Sequence, residues 1–158
     1  MLNPVDDAVL DSLRAALPAG VLRAPEPRDL EEPRGKWHGQ AGIVVSPQTT
    51  EQVATVIRLA GQARVGVVPI SGGTGLVAGQ VATDGPAPIL LSLDRMRAIR
   101  GVWPTENVMV AEAGAILAEV QAAADAAHRL FPLSLASEGT CRIGGNLSTN
   151  AGGVQVLH

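Results

Sequence analysis

The stretch Pro69-Ile70-Ser71-Gly72-Gly73-Thr74-Gly75-Leu76-Val77-Ala78-Gly79 decides how this chain is read. It closes an apolar run, Val65 to Ile70, that has the composition of a strand. Gly73-Thr74-Gly75-Leu76-Val77-Ala78 fits G-x-G-x-x-A, and Asp94 stands about 20 residues further on. That spacing is the mark of a dinucleotide turn, in which a helix N-terminus meets the pyrophosphate. The helix is what fails. Thr83-Asp84-Gly85-Pro86-Ala87-Pro88 breaks any helix within about two turns of Gly75, so an NAD(P)-binding Rossmann domain is the rival reading rather than the first. What survives is a loop whose glycines let a phosphate approach backbone N–H groups, with Ser71 and Thr74 adding hydroxyls.

Upstream, Ile43-Val44-Val45-Ser46 reads as a short strand ended by Pro47. Thr49 and Gln52 have capping-box spacing, and Val53, Val56, Ile57 and Ala60 follow at helical intervals, with Gly61 near the helix end. Strand, helix and strand over residues 43–70 make a unit the size of a right-handed parallel crossover. Asn3 and Pro4 read as an N-cap and first residue of a helix bearing Leu10, Leu13 and Leu17, stopped by Pro18 and Gly20. Residues 23–39, rich in Pro, Glu, Arg and Gly, read as an exposed connector. Downstream, residues 89–93 form a buried strand, and residues 108–112 alternate around Val108, Val110 and Ala111. Residues 116–128 form an alanine-rich helix with Leu117, Val120, Ala124 and Ala127 on one face. The expected organisation is an N-terminal helix and connector over 1–40, a first α/β subdomain over 41–85 and a second over 86–158, divided near Gly85-Pro86.

Composition narrows the function classes. A chain of 158 residues holds one or two compact units. Trp37, Trp103 and Phe131 are its only aromatic residues, which argues against nucleic-acid readers that stack bases. A net charge of −3 without a basic block gives no electrostatic case for nucleic acid or anionic lipid. No apolar run approaches the ~18 residues of a membrane span, and the single cysteine suits a cytoplasmic location. His38, His128 and His158 match no metal-ligand spacing, so no metal is expected. Cys141 reads as a buried thiol, His38 as a surface residue, and Glu112 with Glu138 as no carboxylate pair.

A second stretch, Phe131-Pro132-Leu133-Ser134-Leu135-Ala136-Ser137-Glu138-Gly139-Thr140-Cys141-Arg142-Ile143-Gly144-Gly145-Asn146-Leu147-Ser148-Thr149-Asn150-Ala151-Gly152-Gly153, is dense in small hydroxyl and amide residues. Loops this long are commonly functional. Gly144 and Gly145 are expected to open a short helix over residues 146–150, whose N–H groups suit a carbonyl or a phosphate.

Together the two stretches resemble the flavin-binding half of the vanillyl-alcohol oxidase, or PCMH-type, flavoproteins. The likeness runs from about Ala41 to Gly153. It is strongest to their D-2-hydroxyacid dehydrogenase branch, which holds D-lactate dehydrogenase, the glycolate oxidase FAD subunit and D-2-hydroxyglutarate dehydrogenase. The resemblance implies an α+β fold: a small βαβ parallel subdomain, then a mostly antiparallel sheet with flanking helices, incomplete at the C-terminus. It implies FAD, with Ser71, Gly72, Gly73, Thr74, Gly75 and Leu76 cradling the pyrophosphate. Pro132 and Leu133 would lie against the flavin ring, and Gly139, Thr140, Gly144, Asn146 and Thr149 would reach its edge, the ribityl chain or the phosphates. Ser71 and Ala78 stand where glycine is usual, and Ser134 where aspartate is usual. Thr74 occupies the region that carries a covalent histidine in several relatives, so non-covalent flavin is implied.

The implied reaction is hydride transfer from the α-carbon of a small 2-hydroxy acid to flavin N5, with electrons passed to an acceptor the sequence does not name. Catalytic groups are expected beyond residue 158. The chain is therefore expected to be a fragment, inactive alone and prone to self-association. A non-catalytic nucleotide- or flavin-binding module is the other alternative.

Overall fold

The computed structural model describes residues 1–155, so His158 lies outside the described residues. The described chain forms two compact units, Met1–Leu93 and a second that begins at Asp94. The first holds α1 (Asp7–Ala16), β1 (Leu22–Arg23), α2 (Pro27–Leu30), β2 (Ile43–Val45), α3 (Thr50–Ala63), β3 (Val67–Ile70) and β4 (Ile89–Ser92). The second holds β5 (Ile99–Trp103), β6 (Val108–Ala111), α4 (Leu117–Ala126), α5 (Ile143–Ser148) and a 3-10 turn, Gly153–Gln155.

In the first unit the strand order is β1-β2-β4-β3. β1 runs antiparallel to β2, while β4 lies parallel to both β2 and β3, with Leu90 opposite Val44 and Val68. Every residue of β2 and β4 is buried, as their unbroken apolar runs require of strands covered on both faces. The sequence-expected crossover from β2 through α3 to β3 exists, but β4 enters between the two strands. It pairs backbone groups that would otherwise be left as two open edges. The first unit therefore extends through Leu93 instead of ending near Gly85-Pro86. Residues 1–40 also belong to it, because α1 supplies Val9 and Leu13, with Leu17 just beyond, to a core shared with Val56, Ala60, Val45, Ile89 and Leu91. Burying each of these larger side chains contributes roughly 1.5–3 kcal/mol.

Helix ends depart from the sequence expectation in instructive ways. α1 starts at Asp7, with Asp6 as its cap accepting from the Val9 N–H at 2.9 Å. Asn3 instead bridges to Val65 as a short parallel extension, and its side chain donates to the Ala63 carbonyl. Thr49 caps α3 as expected, but the Gln52 carboxamide accepts from the Gln48 N–H at 2.8 Å instead of reaching back to Thr49. α3 runs past Gly61 and stops at Arg64, a left-handed residue with φ of 57°.

In the second unit β5 and β6 pair antiparallel, Ile99 opposite Ala111 and Trp103 opposite Val108. This register turns Met109 and Ala111 toward Ala115, Val120 and Ile143, and leaves Val108 and Val110 exposed. The Trp103 ring lies over Gly101, where a Cβ would sit 2.5 Å from it. α4 buries Leu117, Val120 and Ala124, the face that its spacing indicated.

Candidate functional site

β3 is an edge strand, and the chain leaves it through residues 71–88 without forming a helix. The Rossmann reading therefore loses its crossover helix. The loop is shaped by side chains drawn to its carbonyls. Gln80 Nε2 donates to Gly73 O at 3.3 Å and Gly75 O at 3.2 Å, and Arg34 donates to Leu76 O. Among the described residues, the amides of Gly72, Gly73, Thr74 and Gly75 donate to no protein acceptor. Gly73 has φ of 66°, and a Cβ there would meet nothing within 4 Å. Ser71 Oγ is shut off from solvent without a hydrogen-bond partner. Uncommitted donors, open space above a left-handed glycine and an unpaired hydroxyl suit an anion cradle, so the residues present fit a diphosphate.

The second motif lies in the second unit and is built differently. α5 begins at Ile143, three residues before its expected start at Asn146. The amides of Ile143 and Gly144 donate to Ala115 O and Ala113 O, both at 2.9 Å, so these two N–H groups of the helix start are committed to protein carbonyls. The opening amides of α4, Leu117 and Ala118, donate in turn to Cys141 O and Glu138 O. Gln121 Nε2 holds Leu133 O at 2.7 Å. Asn146 is buried with its carboxamide on Cys141 Sγ at 3.5 Å, and a Cβ on Gly144 would press 2.7 Å from that of Ala113. Gly144 and Asn146 thus face the interior of the unit. Pro132, Gly139, Thr140 and Thr149 are exposed, and Leu133 is half-buried. The Thr140 and Thr149 hydroxyls donate to Ser137 O and Gly145 O.

Four carboxyls lie below their ordinary range, two in each unit. Asp29 is lowered by the Arg23 fork, at 2.5 and 2.8 Å, with the Glu26 N–H adding to it. For Glu32, burial opposes ionisation, but the N–H groups of Arg34 and Lys36 and the Arg34 guanidinium outweigh it. The Ala98 N–H and then Arg100 lower Glu112, and Arg97 lowers Glu119. A carboxylate held ionised by fixed donors is a poor proton acceptor, so these four serve architecture. His38 and His128 are exposed, and Cys141 is buried as expected. Among the described residues no cluster of His, Cys, Asp and Glu has the make-up of a metal site.

Sequence reasoning missed Gln80, Gln121, Glu32 and Arg34. The two glutamines carry no local signal, since only the folded chain decides which carbonyls they reach. Glu32 lay in a segment read as exposed connector, yet it is buried.

Residues 41–158 match the family described as "FAD binding domain". The chain is 32% identical over 157 residues to mitochondrial D-2-hydroxyglutarate dehydrogenase of Bos taurus, covering 97% of this chain and 28% of that protein. It is 36% identical over 150 residues to D-2-hydroxyglutarate dehydrogenase of Xanthomonas citri pv. viticola, covering 92% and 31%. Among solved structures, an alkyldihydroxyacetonephosphate synthase superposes with a TM-score of 0.83 at 17% identity, over 96% of this chain and 30% of that one, which shows the fold. The chain spans less than a third of the length of these relatives.

Proposed function

The chain belongs to the FAD-binding domain family of PCMH-type flavoproteins, and from that premise we propose that it is the flavin-holding part of an oxidoreductase acting on a small D-2-hydroxy acid. The observation that carries the reading is the set of uncommitted amides from Gly72 to Gly75 around the open, left-handed Gly73. Ser71 through Leu76 take the pyrophosphate, with the unpaired Ser71 hydroxyl and the Thr74 hydroxyl as further donors. Pro132, Leu133, Gly139, Thr140 and Thr149 contact the flavin ring, ribityl chain or phosphates, while Gly144 and Asn146 shape that surface from inside. Bound FAD supplies the acceptor for the hydride on the substrate α-carbon. The substrate's hydroxyl proton needs a base within hydrogen-bond reach, or one water away. The carboxyls held ionised here are unsuited to that task, so we assign the base to a part of the relatives that this chain does not span.

D-2-hydroxyglutarate is the first substrate to test, because both relatives are named for it. Thr74 in place of a covalent histidine supports dissociable flavin, and the electron acceptor is a separate molecule. Among the described residues no helix is long and apolar enough to cross a membrane. The buried single thiol supports a reducing compartment, the cytoplasm or, as for the bovine relative, the mitochondrion.

The chain is titrated with FAD by flavin fluorescence, then mixed anaerobically with D-2-hydroxyglutarate, D-lactate or glycolate. Saturable FAD uptake, flavin released by acid precipitation and no bleaching by any acid are expected. No FAD uptake overturns the cofactor assignment, and rapid bleaching overturns placing the base elsewhere.

A further inference from the structure

Residues 31–40 form a small strap in the first unit. Glu31 and His38 bridge antiparallel, and the Glu32 N–H donates to Trp37 O at 3.1 Å. Inside this turn the Glu32 carboxylate is buried. One oxygen accepts from the Lys36 N–H at 2.9 Å, and the other from the Arg34 N–H at 3.0 Å and from Arg34 Nε at 3.5 Å. Arg34 is thereby aimed, and its far end donates to the carbonyl of Leu76, 42 residues on, at the close of the Ser71–Leu76 loop. A second tie follows. The Gln40 N–H donates to Ala82 O at 2.9 Å and its side chain to Gly85 O, while a Cβ on Gly39 would press 2.8 Å from the backbone of Ala82.

The strap thus grips the segment after the glycine loop at Leu76 and again at Ala82 and Gly85. A surface loop with several glycines has high conformational entropy when free, and an ionic tie at its end removes much of it. The amides that precede the Leu76 carbonyl, from Gly72 to Gly75, donate to no protein acceptor among the described residues. A charge-assisted hydrogen bond from an arginine that is itself fixed gives this tie direction as well as strength.

We propose that Arg34, oriented by the buried Glu32, is a positioning residue that holds the Ser71–Leu76 loop in the shape that receives the cofactor diphosphate. The proposal rests on the FAD reading given above. It assigns the strap no contact with the cofactor.

The test compares the wild-type chain with Arg34→Ala, Arg34→Lys, Glu32→Gln and the Arg34→Ala/Glu32→Gln double variant. Two measurements are made on each: FAD affinity by fluorescence titration, and, in the FAD-free chain, the rate of thermolysin cleavage within residues 71–79 beside amide exchange at Val44, Val45 and Leu90. Arg34→Ala is expected to weaken FAD binding about tenfold and to speed thermolysin cleavage within residues 71–79 while leaving exchange in the core strands unchanged. Arg34→Lys recovers part of the affinity. The double variant binds no more weakly than Arg34→Ala alone, because Glu32 acts through Arg34. If Glu32→Gln does not fold, Arg34→Ala and Arg34→Lys carry the test. Wild-type affinity and a wild-type cleavage rate in Arg34→Ala overturn the proposal, as does core exchange that rises along with loop cleavage. A wild-type chain that takes up no FAD overturns the cofactor reading itself, and the strap's role with it.

Discussion

Gly73 and Gly144 stand in motifs of similar composition, and each is glycine for a different physical reason. At Gly73 the backbone is left-handed and the space a Cβ would fill is open. At Gly144 a Cβ would lie 2.7 Å from the Ala113 Cβ and 2.8 Å from the Ala113 carbonyl oxygen. The first loop keeps the amides of Gly72 to Gly75 uncommitted and is tied down through its carbonyls by Gln80 and Arg34. The second commits the amides of Ile143, Gly144, Asn146, Thr149 and Ala151 to its own unit. Glycine at the first leaves open space beside a left-handed backbone, and glycine at the second makes room for the protein.

Substitution at Gly73 puts the contrast under its hardest test. Gly73→Val is expected to weaken FAD binding by about 100-fold or more, equivalent to about 2.7 kcal/mol. The left-handed backbone would cost the fold about 1–2 kcal/mol. FAD titration beside circular dichroism checks both, and normal binding would reduce the loop to a simple turn.

Gly144→Ala should act the opposite way. Its methyl meets backbone as well as a side chain, so unfolding free energy should fall by about 2 kcal/mol, read from the urea midpoint. An unchanged midpoint would mean that the second motif has room to yield, and the contrast would collapse.

Acid probes the ties that shape each unit. Asp29 and Glu32 in the first, and Glu112 and Glu119 in the second, have folded pKa values below their unfolded ones, 3.8 for aspartate and 4.5 for glutamate. Their contribution is therefore complete at neutral pH and is lost as the pH falls below about 4.5. Thermal unfolding at about pH 3.5 should begin at lower temperature than at pH 7, with a smaller difference in Glu112→Gln. A transition temperature that ignores pH in this window would refute the assignment.

The smallest effect is expected at Ala78, a non-glycine residue with φ of 59° in the first loop. Relief of left-handed strain in Ala78→Gly, less the added entropy of the unfolded glycine, should stabilise the chain by only ~0.5 kcal/mol. Calorimetry that finds a loss instead would mean the side chain packs more favourably than its backbone suggests.

Much of the candidate site was legible because glycine, proline and small polar residues act locally. A run such as Ser71 to Gly75 restricts what can follow it wherever it occurs. The capping Thr49, the apolar β2 and β4 and the buried face of α4 were readable for the same reason, since propensity and periodicity operate over a few residues. Asn3 misled because Asp6 offers an equally good cap one turn on, and sequence alone does not rank two adjacent acceptors.

The order of the two motifs, the flavin family they point to and the failure of the Rossmann turn at Thr83–Pro88 were determined by sequence alone. They depend on residue type and short spacing. Tertiary structure alone decided that β4 enters between β2 and β3, that Glu32 is buried, and that Arg34 holds the Leu76 carbonyl 42 residues away. Which strand edge, burial or distant carbonyl a residue meets depends on how the whole unit packs.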